Sequence, residues 1–143
     1  GKVFVANEYA IAACIQLESE GNDSSKVIWE WNDDLPNTAS PAASDKFVFF
    51  ATADGIVSCV DAEKGSTVWY QEFDYGFYSS PIIVGNLIYL LDREGTMHIF
   101  EVSNTYKSIG NPKIGEPTVA TPAYCDNLII IRGEKHLFGI DGK

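Results

Sequence analysis

Basic residues are scarce: 10 Lys plus Arg stand against 20 Asp plus Glu, giving a formal net charge of −10 over 143 residues. Binding a phosphate backbone or an anionic lipid surface needs clustered cations to displace counterions, so nucleic acid is excluded as a partner. Long apolar runs are missing too. Stretches such as Leu128 to Ile131 are far shorter than the roughly 20 residues of a spanning helix, which excludes membrane insertion by a helix. Cysteine is limited to Cys14, Cys59 and Cys125, an odd number without CxxC spacing, and histidine to His98 and His136. Neither a disulfide framework nor a zinc cluster follows, and the thiol count leaves the compartment open. No GxSxG elbow marks a nucleophile. No initiator methionine or signal precedes Gly1-Lys2-Val3, so the chain reads as lacking its natural N-terminus. Helical periodicity is also absent, since apolar residues do not recur at i, i+3, i+4 and i+7, and turn residues are too dense for ordinary helices.

What is present is a folding composition, 45% hydrophobic and 13% aromatic, well above that of disordered acidic chains. It is organised as a repeat. Ser40-Pro41, Ser80-Pro81 and Thr121-Pro122 return at intervals of 40 and 41 residues, and Trp29 and Trp69 are also 40 apart. After each Ser/Thr-Pro comes a short apolar strand, then a polar break at Asp45-Lys46, Gly85-Asn86 or Asp126-Asn127. A second strand follows in each case: Phe47 to Ala51, Leu87 to Leu91 or Leu128 to Ile131. An acidic turn (Asp54-Gly55, Glu94-Gly95, Glu134-Lys135) leads to a third strand at Ile56 to Val60, Thr96 to Phe100 or His136 to Ile140. A carboxylate closes each third strand: Asp61, Glu101 and Asp141.

A turn at Ala62 to Ser66 and a fourth strand, Thr67 to Phe73, complete the clearest unit. The chain start fits the same frame, with strands at Val3 to Ala6, Ala10 to Ile15 and around Trp29, the last preceded by a polar loop at Glu18 to Lys26. Strand counts of three, four, four and three define units 1–39, 40–79, 80–120 and 121–143. The chain is therefore expected to be all-β, a partial propeller of four-stranded antiparallel blades, about three and a half of them. A sandwich gives no reason for Pro, acidic turn and Trp to return in phase.

The segment Cys59-Val60-Asp61-Ala62-Glu63-Lys64-Gly65-Ser66-Thr67-Val68-Trp69 resembles the tryptophan-docking repeat of PQQ-like, or quinoprotein-type, β-propellers. There a small residue, Asp, a Gly turn and Trp recur. The first unit keeps Cys14 and Trp29 but has Gln16 at the Asp position; the third has Glu101, with Ile109 expected where Trp would fall; the last stops at Asp141. The stretch Ile131 to Ile140 resembles a C-terminal blade of this family, so the chain is expected to be the C-terminal part of a longer propeller.

The resemblance assigns Trp29, Trp69, Asp61 and Gly65 to docking between blades. Periodic carboxylates on successive blades diverge around a ring, which argues against a general acid/base pair or a calcium site built from them. Cys14 and Cys59 read as small buried residues, with Cys125 more exposed, and the two histidines have no ligand partners. No catalytic or metal residue is expected. Asn22-Asp23-Ser24 fits a glycosylation sequon.

For function the resemblance implies a non-catalytic module in the periplasm or outside the cell, without a cofactor, that binds a protein partner or self-associates to complete its ring. Two alternatives stay open: a fragment of a PQQ-dependent dehydrogenase whose quinone and calcium site lies upstream, although no Cys-Cys pair is present, and the sensor domain of a larger signalling protein.

Overall fold

The computed structural model describes residues 1–17 and 25–141. Among the described residues, fourteen strands form four antiparallel meander sheets. The first sheet holds β1 (Lys2–Ala6), β2 (Ala12–Gln16) and β3 (Lys26–Trp31); the second holds β4 (Ala42–Ala43), β5 (Phe47–Ala51), β6 (Ile56–Asp61) and β7 (Thr67–Glu72). The third contains β8 (Ile82–Val84), β9 (Leu87–Leu91), β10 (Met97–Glu101) and β11 (Ser108–Gly110); the fourth contains β12 (Ala123–Cys125), β13 (Leu128–Arg132) and β14 (Leu137–Asp141). The architecture is all-β, as the repeat implies. The sequon and the loop from Glu18 to Ser24 lie outside the described residues.

Strand ends differ from the expected ones for local reasons. A turn closed by Ala10 N–H to Asn7 O and Asn7 N–H to Ile11 O takes Ala10 and Ile11 out of β2. Thr96 stands apart from β10 in an isolated bridge to Lys113.

The polar breaks work by different chemistry. Ser44 Oγ accepts the Lys46 and Phe47 amides around Asp45-Lys46, Gly85 supplies a positive φ, and Asp126 and Asn127 both take positive φ, which short polar side chains tolerate best.

Because side chains alternate along a strand, the near-continuous apolar run of β5 must be buried on both faces. Val48 and Phe50 join Ala12, Cys14, Trp29 and Trp31 of the first sheet in one core cluster. Phe49 and Ala51 turn the other way and meet Ile88, Leu90 and Phe100 of the third sheet. Leu91 and Met97 then face Ile131 of the fourth. Each core lies between consecutive sheets, so sheet follows sheet, face on face.

Candidate functional site

The residues assigned to docking sit at these junctions. Asp61 ends β6, and its Oδ1 accepts the amides of Glu63 and Lys64, both at 2.9 Å. The Lys64 and then the Glu63 amide hold its carboxyl below the usual range. Its carbonyl accepts the Gly65 amide, which closes the turn. Gly65 has φ +70°, and a Cβ there would come within 2.6 Å of the Trp29 ring. Trp29, nearly buried in β3, lies over this turn and donates Nε1–H to Ala62 O at 3.1 Å. The indole of the first sheet thus closes on the β6–β7 turn of the second.

Trp69 of β7 repeats the geometry one sheet on. Its Nε1 donates to Ser103 O at 2.9 Å, and its ring meets Phe49, Phe100 and Tyr106 at 5.6 to 6.0 Å. Ile109 does not occupy the next Trp position. Cys14 pairs with Trp29 and Cys59 with Trp69, but the matching residue Ile99 pairs with Gly110. The β10–β11 turn is one residue longer, because Phe100 pairs with Ser108 where Val60 pairs with Thr67. Ile109 is instead the extra residue of a β-bulge that Ile28 and Val68 make in the other two sheets. Counting 40 residues missed this single insertion.

Further contacts at the junctions escaped the repeat. Trp31 stacks on Phe50 at 4.8 Å and donates Nε1–H to Thr67 Oγ1 at 3.0 Å. Its counterpart 40 residues on is Gln71, so periodicity gave no signal; two tryptophans at i and i+2 in one strand did, since they share a face. Asp92 is buried, with Oδ1 accepting the Glu94 and Thr96 amides and Oδ2 bonded to His98 Nε2 at 2.9 Å. Both histidines have carboxylate partners, His136 meeting Glu116 at 3.1 Å. Burial works to raise the Glu116 carboxyl, but bonds from the His136 amide and ring and from the Lys135 amide outweigh it and hold it low.

The Ser/Thr-Pro motifs form a chain of their own. Ser80 Oγ accepts the Ser40 amide and Thr121 Oγ1 accepts the Ser80 amide, each at 2.9 Å. The hydroxyls of the second and third motifs therefore each tie down the backbone of the motif before.

Chemically reactive groupings are sparse at these places. Cys14 and Cys59 are buried free thiols; burial, with Asp61 nearby, pushes Cys59 up to about 12, and burial raises Cys14 as well. Cys125 is exposed. Glu101 makes an exposed pair with Lys107 at 3.2 Å. Among the described residues no group of three or more His, Cys, Asp and Glu could hold a metal ion, and no helix is long and apolar enough to cross a membrane.

Successive antiparallel meanders of three or four strands, with an indole closing the first two junctions, define a PQQ-like β-propeller repeat protein. The family described as outer membrane protein assembly factor BamB matches residues 16–107, and the chain belongs to that family. It is 23% identical over 142 residues to the outer membrane protein assembly factor BamB of Alkalilimnicola ehrlichii, covering 99% of this chain and 35% of the relative. The chain thus spans about a third of that relative's length. BamB from Moraxella catarrhalis superposes with a TM-score of 0.72 at 16% identity, over 99% of this chain and 42% of that one. A quinohemoprotein alcohol dehydrogenase from Pseudomonas putida gives 0.68 at 13% identity, over 91% and 26%. A europium-containing methanol dehydrogenase gives 0.60 at 15%, over 78% and 22%. At these identities the structural likenesses establish the fold.

Proposed function

We propose that this chain is part of a non-catalytic propeller that binds other proteins outside the cytoplasm and serves the assembly of outer membrane proteins. The observation that carries the reading is the family match over residues 16–107. The side chains of the repeat support it: Trp29, Trp69, Asp61 and Gly65 are used in contacts between sheets and within turns. The net charge of −10 disfavours adsorption to anionic lipid surfaces.

Depleting the protein in its host should lower the amount of folded barrel proteins in the outer membrane; an unchanged amount would sink the assembly role. Titration with pyrroloquinoline quinone and calcium, followed by dye reduction with alcohols, should show no turnover. Saturable binding with turnover would replace this reading with a dehydrogenase fragment.

A further inference from the structure

We infer that Glu116 is an acid-released clasp, fastening the β13–β14 turn to the connection, residues 111–122, that joins the third sheet to the fourth. The clasp is a conformational device within the fold and does not depend on a role in outer membrane assembly. Register shows what it replaces. Ala51–Val57, Leu91–Met97 and Arg132–Leu137 are the last pairs before the β5–β6, β9–β10 and β13–β14 turns. In each turn a side-chain oxygen holds the amide just before the second member of the pair. Thr52 Oγ1 accepts the Ile56 amide at 3.0 Å and Asp92 Oδ1 the Thr96 amide at 2.8 Å, both from the residue just after the first member. In the third turn that residue is Gly133, which has no side chain, and the acceptor reaches in from outside. Glu116 Oε1 takes the His136 amide at 2.9 Å and the Lys135 amide at 3.3 Å. A Cβ on Gly133 would run into this same oxygen, so the glycine makes room for the clasp.

Thr52 cannot ionise and Asp92 takes these amides within its own turn, so of the three acceptors Glu116 alone makes the fastening of two separate elements depend on a charge. Its side chain is 10% exposed, and Oε2 meets His136 Nδ1 at 3.1 Å. The charged and titratable residues of the elements packed against it are Arg132, Glu134, Lys135 and His136 around this turn and Arg93 and Glu94 in the β9–β10 turn, with Lys113 on its own connection. Among them His136 supplies the side-chain bond. Protonating Glu116 removes the charge that strengthens both amide bonds and the contact with the ring. Glu134 N–H to Pro117 O and Gly133 N–H to His136 O remain, so the turn loosens at Lys135 and His136 while the sheets stay paired. Gly133 and Glu134 of this turn line a cavity of about 330 Å³ together with Pro117 and Val119, so the clasp also sets the position of one cavity wall.

Amide hydrogen exchange of the whole chain, followed residue by residue by NMR, tests the clasp, with protection taken relative to an unstructured amide at the same pH. Between about pH 7 and about pH 3, protection at Lys135 and His136 should fall at least about 10-fold, while Ile56, held by a hydroxyl, keeps its own. A parallel fall at all three amides would be general loosening and overturns the clasp. Glu116→Gln keeps an acceptor oxygen without the charge, so its acid step at Lys135 and His136 should disappear; a step of native size there also overturns the inference. His136→Ala keeps both amide bonds and should keep the acid step. Loss of the step in that variant would place the trigger on the imidazole instead. Glu116→Ala should already exchange at least about 10-fold faster at these two amides near neutral pH, and unchanged protection would mean that the carboxylate fastens nothing. Should Glu116→Ala fail to fold, the acid series on the native chain and on Glu116→Gln still decides.

Discussion

At the scale of single residues, the Asp61–Gly65 turn shows how a short motif is fixed by geometry. Gly65 has a positive φ and an indole against the place where a Cβ would sit, so Gly65→Ala adds both strain and a clash. The expected loss is about 1 to 3 kcal/mol in urea titration. Trp69→Ala removes the ring contacts to Phe49, Phe100 and Tyr106 together with the bond to Ser103, and should cost about 3 to 5 kcal/mol. A loss below about 1 kcal/mol would show that the ring does not hold the junction. Asp61 and Glu116 both titrate lower in the folded protein than their ordinary values of 3.8 and 4.5. Their stabilisation is fully present above those unfolded values and is lost as pH falls through the lowered folded ones. Asp61→Asn should therefore lose less stability than the native chain between about pH 6 and pH 3, measured by denaturant midpoint. Buried Cys14 and Cys59 should resist alkylation until the protein unfolds, so mass spectrometry of the native state should show at most one label.

At the scale of elements, one residue in a turn decides which side chain reaches the next sheet. The longer β10–β11 turn places Gly110 opposite Ile99 and turns Ile109 into the bulge, so the third junction has no indole. Its core is built from Leu91, Met97 and Ile131 instead. The Ser/Thr-Pro chain belongs to this scale as well. Ser80→Ala takes the acceptor from the Ser40 amide, which lies near solvent, and should cost up to about 1 kcal/mol, while Ser80→Thr should restore it.

At the scale of the whole molecule, net charge and the cores between sheets oppose one another. A formal charge of −10 repels itself within the folded chain, while the three apolar cores hold consecutive sheets together. Salt screens the repulsion and leaves the burial of apolar surface, so the urea midpoint should rise with ionic strength at neutral pH. A midpoint that falls steadily with added salt would mean that ion pairs hold the sheets.

By itself the sequence determined the all-β class, the phase of the strands and the turn motif, because hydrophobic alternation, turn chemistry and a 40-residue period are local properties written in residue order. Only the tertiary structure decided which residues form the junctions. Trp31 has no counterpart in the repeat, Gly110 rather than Ile109 takes the third docking position, and Asp92 and Glu116 hold the two histidines. These depend on cross-strand register and on how one sheet lies on the next, and both shift with a single inserted residue that a period counted along the chain averages away.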